Sequence, residues 1–346
     1  MECDQPQGAG KRLDPGFRLS VAVPVHNEEQ TLHELLRRIG NVLDGVAGGP
    51  HQILIVDDGS WDRTPELLEE AARKDSRLTV VSLSRNFGQE AALSAALDHA
   101  SGDAVVLMDA DLQDAPEVIP TFVAKFEQGY DVVYATRARR TEGWGLRLCF
   151  FLFYRLQAML ADTKLPLDAG DFGLMSRRVV EQLRGLREHP RYLRGLRSWV
   201  GFKQTAVPVE HPERRMGKSN YHLLNRIKFA SDGVFAFSVL PLRAATVFGA
   251  MAAGLSGSVG LYLAYADLFL GKPLREFTTL ILLMIFLSGI VVFFLGIIGE
   301  YLGRVYEGLK GRPIYVVNKT THYPASSVAD SARDHETREL RSVKHG

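Results

Sequence analysis

Residues 104–117 read AVVLMDADLQDAPE. An apolar run, Ala104 to Met108, meets two carboxylates one residue apart, Asp109 and Asp111, and Pro116-Glu117 follows. A short apolar run bounded by turn residues reads as a buried strand, and Pro in a first turn opens a helix. A strand that ends in Asp-x-Asp can present both carboxylates to one cation. Mg2+ and Mn2+ prefer hard oxygen ligands and often bridge protein carboxylates to substrate phosphates. Asp109 and Asp111 are therefore candidate metal ligands, and Gln113 can add a carbonyl oxygen. Such a cation neutralises a leaving diphosphate. A polar loop with surface aspartates is the plain alternative.

The same strand-then-helix grammar extends outward in both directions. Strands are expected at Leu19–Val25, Gln52–Val56, Leu78–Leu83, Ala104–Met108 and Asp131–Ala135. Helices are expected at Asn27–Ile39, from Thr64-Pro65-Glu66 onward, at Gly88–Ala100 and at Pro116–Gln128. In the first, Leu32, Leu35, Leu36 and Ile39 recur at helical spacing. Strands alternating with helices of this length predict an α/β domain with a mostly parallel sheet. Ligands of such sheets sit at the carboxyl ends of strands. Three strands end in polar clusters: His26-Asn27-Glu28, Asp57-Asp58-Gly59-Ser60 and Asp109-Ala110-Asp111. A carboxylate in the second suits a nucleobase or ribose hydroxyl, and Gly59 permits a tight turn. A turn with a helix cap explains that cluster equally.

The chain has 346 residues and a formal net charge of +1, so no bulk basic field argues for nucleic acid. Its two cysteines, Cys3 and Cys149, offer neither metal spacing nor a disulfide framework. Met1 to Ser20 is polar, without the apolar core of a signal peptide. Ala244–Ala266 and Phe277–Gly299 carry no charged residue. Each runs about 23 residues, against the roughly 20 a helix needs to cross the hydrocarbon core. Arg226, Lys228 and Arg243 precede the pair, and Arg304, Lys310 and Arg312 follow it. The positive-inside rule then places both termini in the cytoplasm. Leu146–Leu160, interrupted by Arg147 and Arg155, reads as an interfacial amphipathic helix with snorkelling arginines, or else as an ordinary core helix.

The expected organisation is a disordered tail at 1–17 and a catalytic domain at 18–238. Interfacial helices are expected near 144–161 and 219–238. Two membrane helices follow within 239–302, near 244–266 and 277–300, and a cytoplasmic segment and tail occupy 303–346. The basic stretch before the first membrane helix contains Arg214, Arg215, Lys218, Arg226 and Lys228. Anionic headgroups explain most of these charges. The sharper reading gives Arg214, Ser219 and Tyr221 a specific phosphate, with Arg137, Arg139, Arg140 and Arg155 adding positive charge. Asp171, in the small-residue turn Gly170-Asp171-Phe172-Gly173, can orient or deprotonate an acceptor, or simply stabilise its loop.

Seven blocks, in this order and spacing, carry a resemblance. They are VAVPVHNEEQTL (21–32), ILIVDDGSWDRT (53–64), LSRNFGQEAALSAAL (83–97), VVLMDADLQDAPE (105–117), GDFGLMSRRVV (170–180), YLRGLRSWVGF (192–202) and RRMGKSNYHLLNRIKFASDG (214–233). From about Leu19 to Val317 the chain resembles the family 2 glycosyltransferases that load a sugar onto a polyprenyl phosphate. These include dolichol-phosphate mannose synthases and bacterial undecaprenyl-phosphate glucosyltransferases. The resemblance implies a Rossmann-like GT-A fold and inversion at the anomeric carbon. It implies Mg2+ or Mn2+ on Asp109, Asp111 and Gln113; with Asp171 from the turn above, Asp109 and Asp111 are the candidate catalytic residues. It places Pro24, His26, Glu28, Val56, Asp58, Ala110 and Arg137 around the nucleotide-sugar. Arg137, Arg155, Arg214, Lys218, Ser219 and Tyr221 are expected at the lipid phosphate.

The implied reaction moves a hexose or modified sugar from a nucleotide-sugar, with UDP favoured over GDP, to undecaprenyl or another polyprenyl phosphate. It takes place on the cytoplasmic face of the inner membrane. The product is a lipid-linked sugar donor for cell-envelope glycans. Family members often form tetramers, and some act as dimers. Three positions depart from the family pattern: Gly173 and Gln89 stand where Arg and often Lys are usual, and Asn220 stands where Lys is common. A GDP-mannose-dependent mannose synthase is one alternative. A processive polysaccharide synthase is another, but none of Trp61, Trp144 and Trp199 is preceded by its Gln-x-x-Arg-Trp block. A non-catalytic membrane scaffold is expected to have lost the aspartates that are intact here.

Overall fold

The computed structural model describes residues 13–137, 169–186, 188 and 191–209, scattered helical positions between 248 and 269, and 277–324. These residues fall into two compact units, one carrying a sheet and the other a long C-terminal helix. The predicted interfacial helices at 144–161 and 219–238 lie outside the described residues.

The sheet unit starts with the expected alternation. Strand β1 (Leu19–Val25) leads to helix α1 (Leu32–Asp44), β2 (Gln52–Asp57) to α2 (Thr64–Lys74), and β3 (Leu78–Leu83) to α3 (Gln89–His99). Strand β4 (Ala104–Leu107) is followed by a 3-10 turn, Pro116–Val118, which runs into α4 (Ile119–Glu127), and then by β5 (Val132–Arg137). Helix α1 starts later than its sequence pattern suggested, because Asn27 has a φ of 57° and breaks the chain direction first. Leu32, Leu35, Ile39 and Leu43 form its buried stripe.

Helix α3 is buried from Ala91 through Leu97. Its small residues have a packing cause: it lies on β1 and β2 on one side and meets two later helices on the other. Those helices are α5 (Arg177–Gly185) and α6 (Leu193–Trp199). Arg184 of α5 donates to the carbonyls of Leu97 (2.8 Å) and Ala100 (2.7 Å), satisfying the C-terminal end of α3.

Residues 169–176 differ from expectation. The small-residue turn around Asp171 is a strand, β6 (Ala169–Ser176), inserted antiparallel between β4 and β5. Its two glycines and lack of β-branched residues give it poor strand propensity, and pairing on both sides overrides that. Phe172 of β6 meets Phe122 of α4 edge-on, with centroids 4.9 Å apart, and both rings are fully buried.

Two further strands lie outside the sequence-based expectation. Strand β7 (Gln204–Val209) pairs parallel with β5, and β8 (Val317–His322) pairs antiparallel with β3. The sheet order is β7-β5-β6-β4-β1-β2-β3-β8, a mixed GT-A-like sheet. Pro208 is tolerated because β7 is an edge strand. Residues 317–322, expected to belong to a cytoplasmic tail, instead close the other edge of the sheet. Phe17, expected in the N-terminal tail, is 5% exposed and packs on Phe126 with centroids 5.8 Å apart.

In the second unit, helix α7 runs from Phe277 to Leu309. Its stretch Phe286–Leu309 is long and apolar enough to cross a membrane, the one such helix among the described residues. The expected partner span at 244–266 falls mostly outside them. The positions described there are helical, and Phe248, Met251, Ala252 and Leu255 line an apolar cavity with Phe286, Gly289, Ile290, Phe293 and Phe294.

Candidate active site

Strands β2 and β4 both pair parallel with β1, so the carboxyl ends of all three meet at one edge of the sheet. The predicted polar clusters therefore share that edge. His26 Nδ1 lies 3.0 Å from the Asp58 carbonyl and Nε2 lies 3.1 Å from Asn27 Nδ2. A carbonyl only accepts, so Nδ1 carries the proton and Nε2 accepts from the amide. The Asn27 N–H donates to Ser60 Oγ (2.9 Å), and its side-chain oxygen accepts from the Trp61 N–H (3.0 Å). Glu28 accepts from the Thr31 hydroxyl at 2.6 Å. These bonds tie the loops after β1 and β2 into one rigid wall.

Asp58 is buried, and its carboxylate accepts the N–H groups of Phe87 (2.7 Å) and Gly88 (2.9 Å). It thereby holds the loop that enters α3. Gly59 has a φ of +66°, and a Cβ there would lie 2.4 Å from the Arg85 backbone, so this turn admits only glycine.

The end of β4 concentrates negative charge. Asp109 Oδ1 accepts from Gln89 Nε2 (3.1 Å), and its N–H donates to Asp114 Oδ2 (3.0 Å). Asp111 Oδ1 accepts from the Gln113 N–H (3.1 Å), and Leu112 is held at a φ of 60°. A non-glycine residue in that region is strained, and such strain clusters at functional sites. Burial first, then the charges of Asp114, Asp171 and Asp111, push the Asp109 carboxyl up to about 7, against a smaller opposing pull from Arg194. A carboxylate so short of positive charge suits a divalent cation. Among the described residues no three His, Cys, Asp or Glu side chains are grouped to hold a metal alone. The two carboxylates therefore fit a cation that draws its remaining ligands from substrate phosphate and water.

Because β6 runs antiparallel to β4, its first residues lie at this same edge. Asp171 is 8% exposed and clamped by Arg194, Nε to Oδ1 at 2.7 Å and Nη2 to Oδ2 at 2.6 Å. Both oxygens are thus engaged by one guanidinium fork. Arg194 is the second residue of α6, whose first N–H, on Leu193, donates to Glu90 Oε2 at 3.0 Å. Burial first, and then the Asp171 charge, raises Glu90 to about 7. One turn further along α6, the Arg197 guanidinium donates from Nη1 to the Gly170 carbonyl (3.2 Å) and stands 5.1 Å from the Tyr134 ring centroid.

The family model described as "Glycosyl transferase family 2" matches residues 20–184, from β1 into α5. An uncharacterized glycosyltransferase, YkcC, of Bacillus subtilis (strain 168) is 41% identical over 305 residues, 88% of this chain and 94% of that protein. The chain belongs to glycosyl transferase family 2. Two further relatives carry more specific names. The SfII prophage-derived bactoprenol glucosyl transferase of Shigella flexneri is 36% identical, covering 88% of this chain and 98% of its own length. The undecaprenyl-phosphate 4-deoxy-4-formamido-L-arabinose transferase of Edwardsiella ictaluri (strain 93-146) is also 36% identical, covering 86% and 93% respectively.

Within this glycosyltransferase the expected site residues divide into three groups. Asp109, Ala110, Asp111, Gln113, His26, Glu28, Asp58 and Asp171 gather at the carboxyl edge. Pro24 pairs with Val56 inside the sheet, and Val56 is fully buried with strands on both sides of it. Arg137 ends β5, which runs parallel to β4, so it reaches the same edge two strands away. Arg155, Arg214, Lys218, Ser219 and Tyr221 lie outside the described residues.

Gly173 acquires a different meaning. A Cβ there would lie 2.5 Å from the Val133 carbonyl oxygen. In this structure the glycine lets β5 and β6 approach closely at this position. The sequence reading gave no site role to Glu90, Arg194 or Arg197. Their signal was present in the blocks at 83–97 and 192–202, but nothing local says which residues those blocks face.

Proposed function

We propose that this glycosyltransferase moves a hexose from a nucleotide-sugar, a UDP-sugar in the first instance, to polyprenyl phosphate at the cytoplasmic face of a membrane. The observation that carries the reading is the carboxylate pair Asp109 and Asp111, crowded by Asp114 and Asp171 at the carboxyl edge of the sheet. The relatives named for bactoprenol and undecaprenyl phosphate, alike over nearly the whole chain, supply the acceptor class. A helix apolar enough to cross a membrane agrees with a lipid acceptor.

Asp109 and Asp111, with Gln113, are the residues suited to hold Mg2+ or Mn2+. When bound, the cation supplies charge neutralisation for the departing nucleoside diphosphate. The wall built by His26, Asn27, Glu28 and Asp58 positions the nucleotide. A phosphate oxygen of the lipid attacks the anomeric carbon in line with the leaving group, inverting it. A phosphate monoester has a second pKa of about 6, so it arrives as an oxyanion and needs no strong general base. Asp171, held by Arg194 through both of its oxygens, is assigned an orienting role. Positioning and electrostatics carry the rate.

The test is transfer by the purified full-length protein with Mn2+ and undecaprenyl phosphate, using labelled UDP-glucose and GDP-mannose in parallel. Label in a single-sugar lipid supports the reading, and the donor that works names the nucleotide. A long polymer indicates processive synthesis instead. No turnover with any donor across a broad panel would overturn the enzymatic assignment.

A further inference from the structure

Three arginines recur at a spacing of three around α6: Arg191, Arg194 and Arg197. Arg194 spends its Nε–Nη2 edge on Asp171. Arg191 is buried and donates from Nη2 to the Leu183 carbonyl (2.6 Å), capping the last turn of α5, while its Nε has no acceptor among the described residues. Arg197 leaves a whole edge of its guanidinium unpaired. It is 3% exposed, and among the described residues its guanidinium has one hydrogen-bond partner, the Gly170 carbonyl, on Nη1. Both Nε and Nη2 are buried with no acceptor among the described residues.

Those two nitrogens form one edge of the guanidinium, the same edge with which Arg194 grips a carboxylate. Such an edge matches two oxygens of one oxyanion. Arginine does not deprotonate in proteins, so the bare edge stays charged. Leaving buried charged donors unpaired is costly, and native structures rarely tolerate it without cause. The position is also informative. Gly170 immediately precedes Asp171, and the start of β6 lies at the carboxyl edge beside Asp109. A ring contact with Tyr134 fixes the plane of the guanidinium from the β5 side.

We propose that Arg197 is a phosphate-binding residue of this glycosyltransferase, its Nε–Nη2 edge taking two oxygens of a substrate phosphate. The chemistry is shared by two sources, the nucleotide diphosphate and the lipid phosphate. The inference rests on the proposed function for the identity of those substrates, and it goes beyond the family match, which ends at residue 184.

The experiment uses the full-length protein in lipid–detergent micelles with Arg197→Gln and Arg197→Lys. Binding of UDP with Mg2+ is measured by calorimetry, and KM for undecaprenyl phosphate is measured separately. Loss of two charge-assisted bonds predicts a weakening of at least about 100-fold for one of the two ligands. Lysine recovers little of it, because an ammonium lacks the fork. A raised UDP Kd assigns the donor diphosphate. A raised KM for undecaprenyl phosphate with UDP binding unchanged assigns the lipid phosphate.

Folded variants with both quantities within about twofold of wild type would overturn the proposal and leave Arg197 a packing residue. If neither variant folds, 15N-arginine NMR of the wild type decides. A shift of a slowly exchanging buried Nε–H on adding UDP or undecaprenyl phosphate supports the assignment, and its absence with both overturns it. Wild-type protein that binds UDP but transfers nothing to undecaprenyl phosphate would count against the acceptor, not against Arg197.

Discussion

Asp109 and Asp111 stand one residue apart but have different surroundings. Asp109 carries the burial and the crowding, while Asp111 accepts a local backbone N–H. Asp111→Ala should lower kcat by at least about 100-fold, the scale of losing a preorganised charge stabiliser. The far-UV spectrum and melting temperature should stay close to wild type. Wild-type turnover by this variant at saturating Mn2+ would remove Asp111 from the metal site. Glu90 gives a second residue-level prediction. Its folded pKa, about 7, is raised above the ordinary carboxylate value, so the fold favours its protonated form. The stability it contributes is fully present below about pH 4.5 and is lost as pH rises through about 7. Melting curves across that interval should slope downward for the wild type and less so for Glu90→Gln. Equal slopes would show that Glu90 does not titrate in this window.

At the scale of elements, β6 carries the most weight. It brings Asp171 to the site edge, buries Phe172 and crosses β5 closely at Gly173. Gly173→Ala should cost about 1–3 kcal/mol, the range for forcing atoms into a packed interior. Thermal melting of the alanine variant is the check, and an unchanged midpoint would mean the strands separate easily. Helix α6 is the other decisive element. It is short, yet one end meets Glu90 and its arginines meet β6. Its function is to carry Arg194 and Arg197 to Asp171 and Gly170.

At the scale of the whole molecule, the chain leaves the sheet unit, forms α7, and comes back to the sheet as β8. Strand β8 covers the edge of β3, and Lys319 pairs with Glu69 at 3.2 Å while Tyr315 donates to Asp98 at 2.8 Å. An uncovered strand edge is a template for association. A chain ending at residue 312 should therefore self-associate and melt at a lower temperature, by size-exclusion chromatography and thermal scanning. A monodisperse truncation with an unchanged midpoint would show that β8 is dispensable.

Much was legible in local sequence because its causes are local. Apolar runs that end in Asp-Asp-Gly and Asp-Ala-Asp mark strands and their carboxyl ends, and helical spacing marks α1. The length of an uncharged run marks a membrane-grade helix. Those signals were sufficient for the α/β class and for the shared edge at which Asp109 and Asp111 stand. What the tertiary structure alone decided depends on residues far apart in the chain. A glycine-containing segment becomes a central strand because β4 and β5 flank it. The polar stretch 317–322 becomes an edge strand because β3 offers it partners. Asp171 meets its ion-pair partner Arg194, 23 residues away, only once β6 and α6 are placed together. Hydrophobic periodicity is written within a segment. The pairing of a buried charge, and the burial that shifts it, exists only once the segments meet.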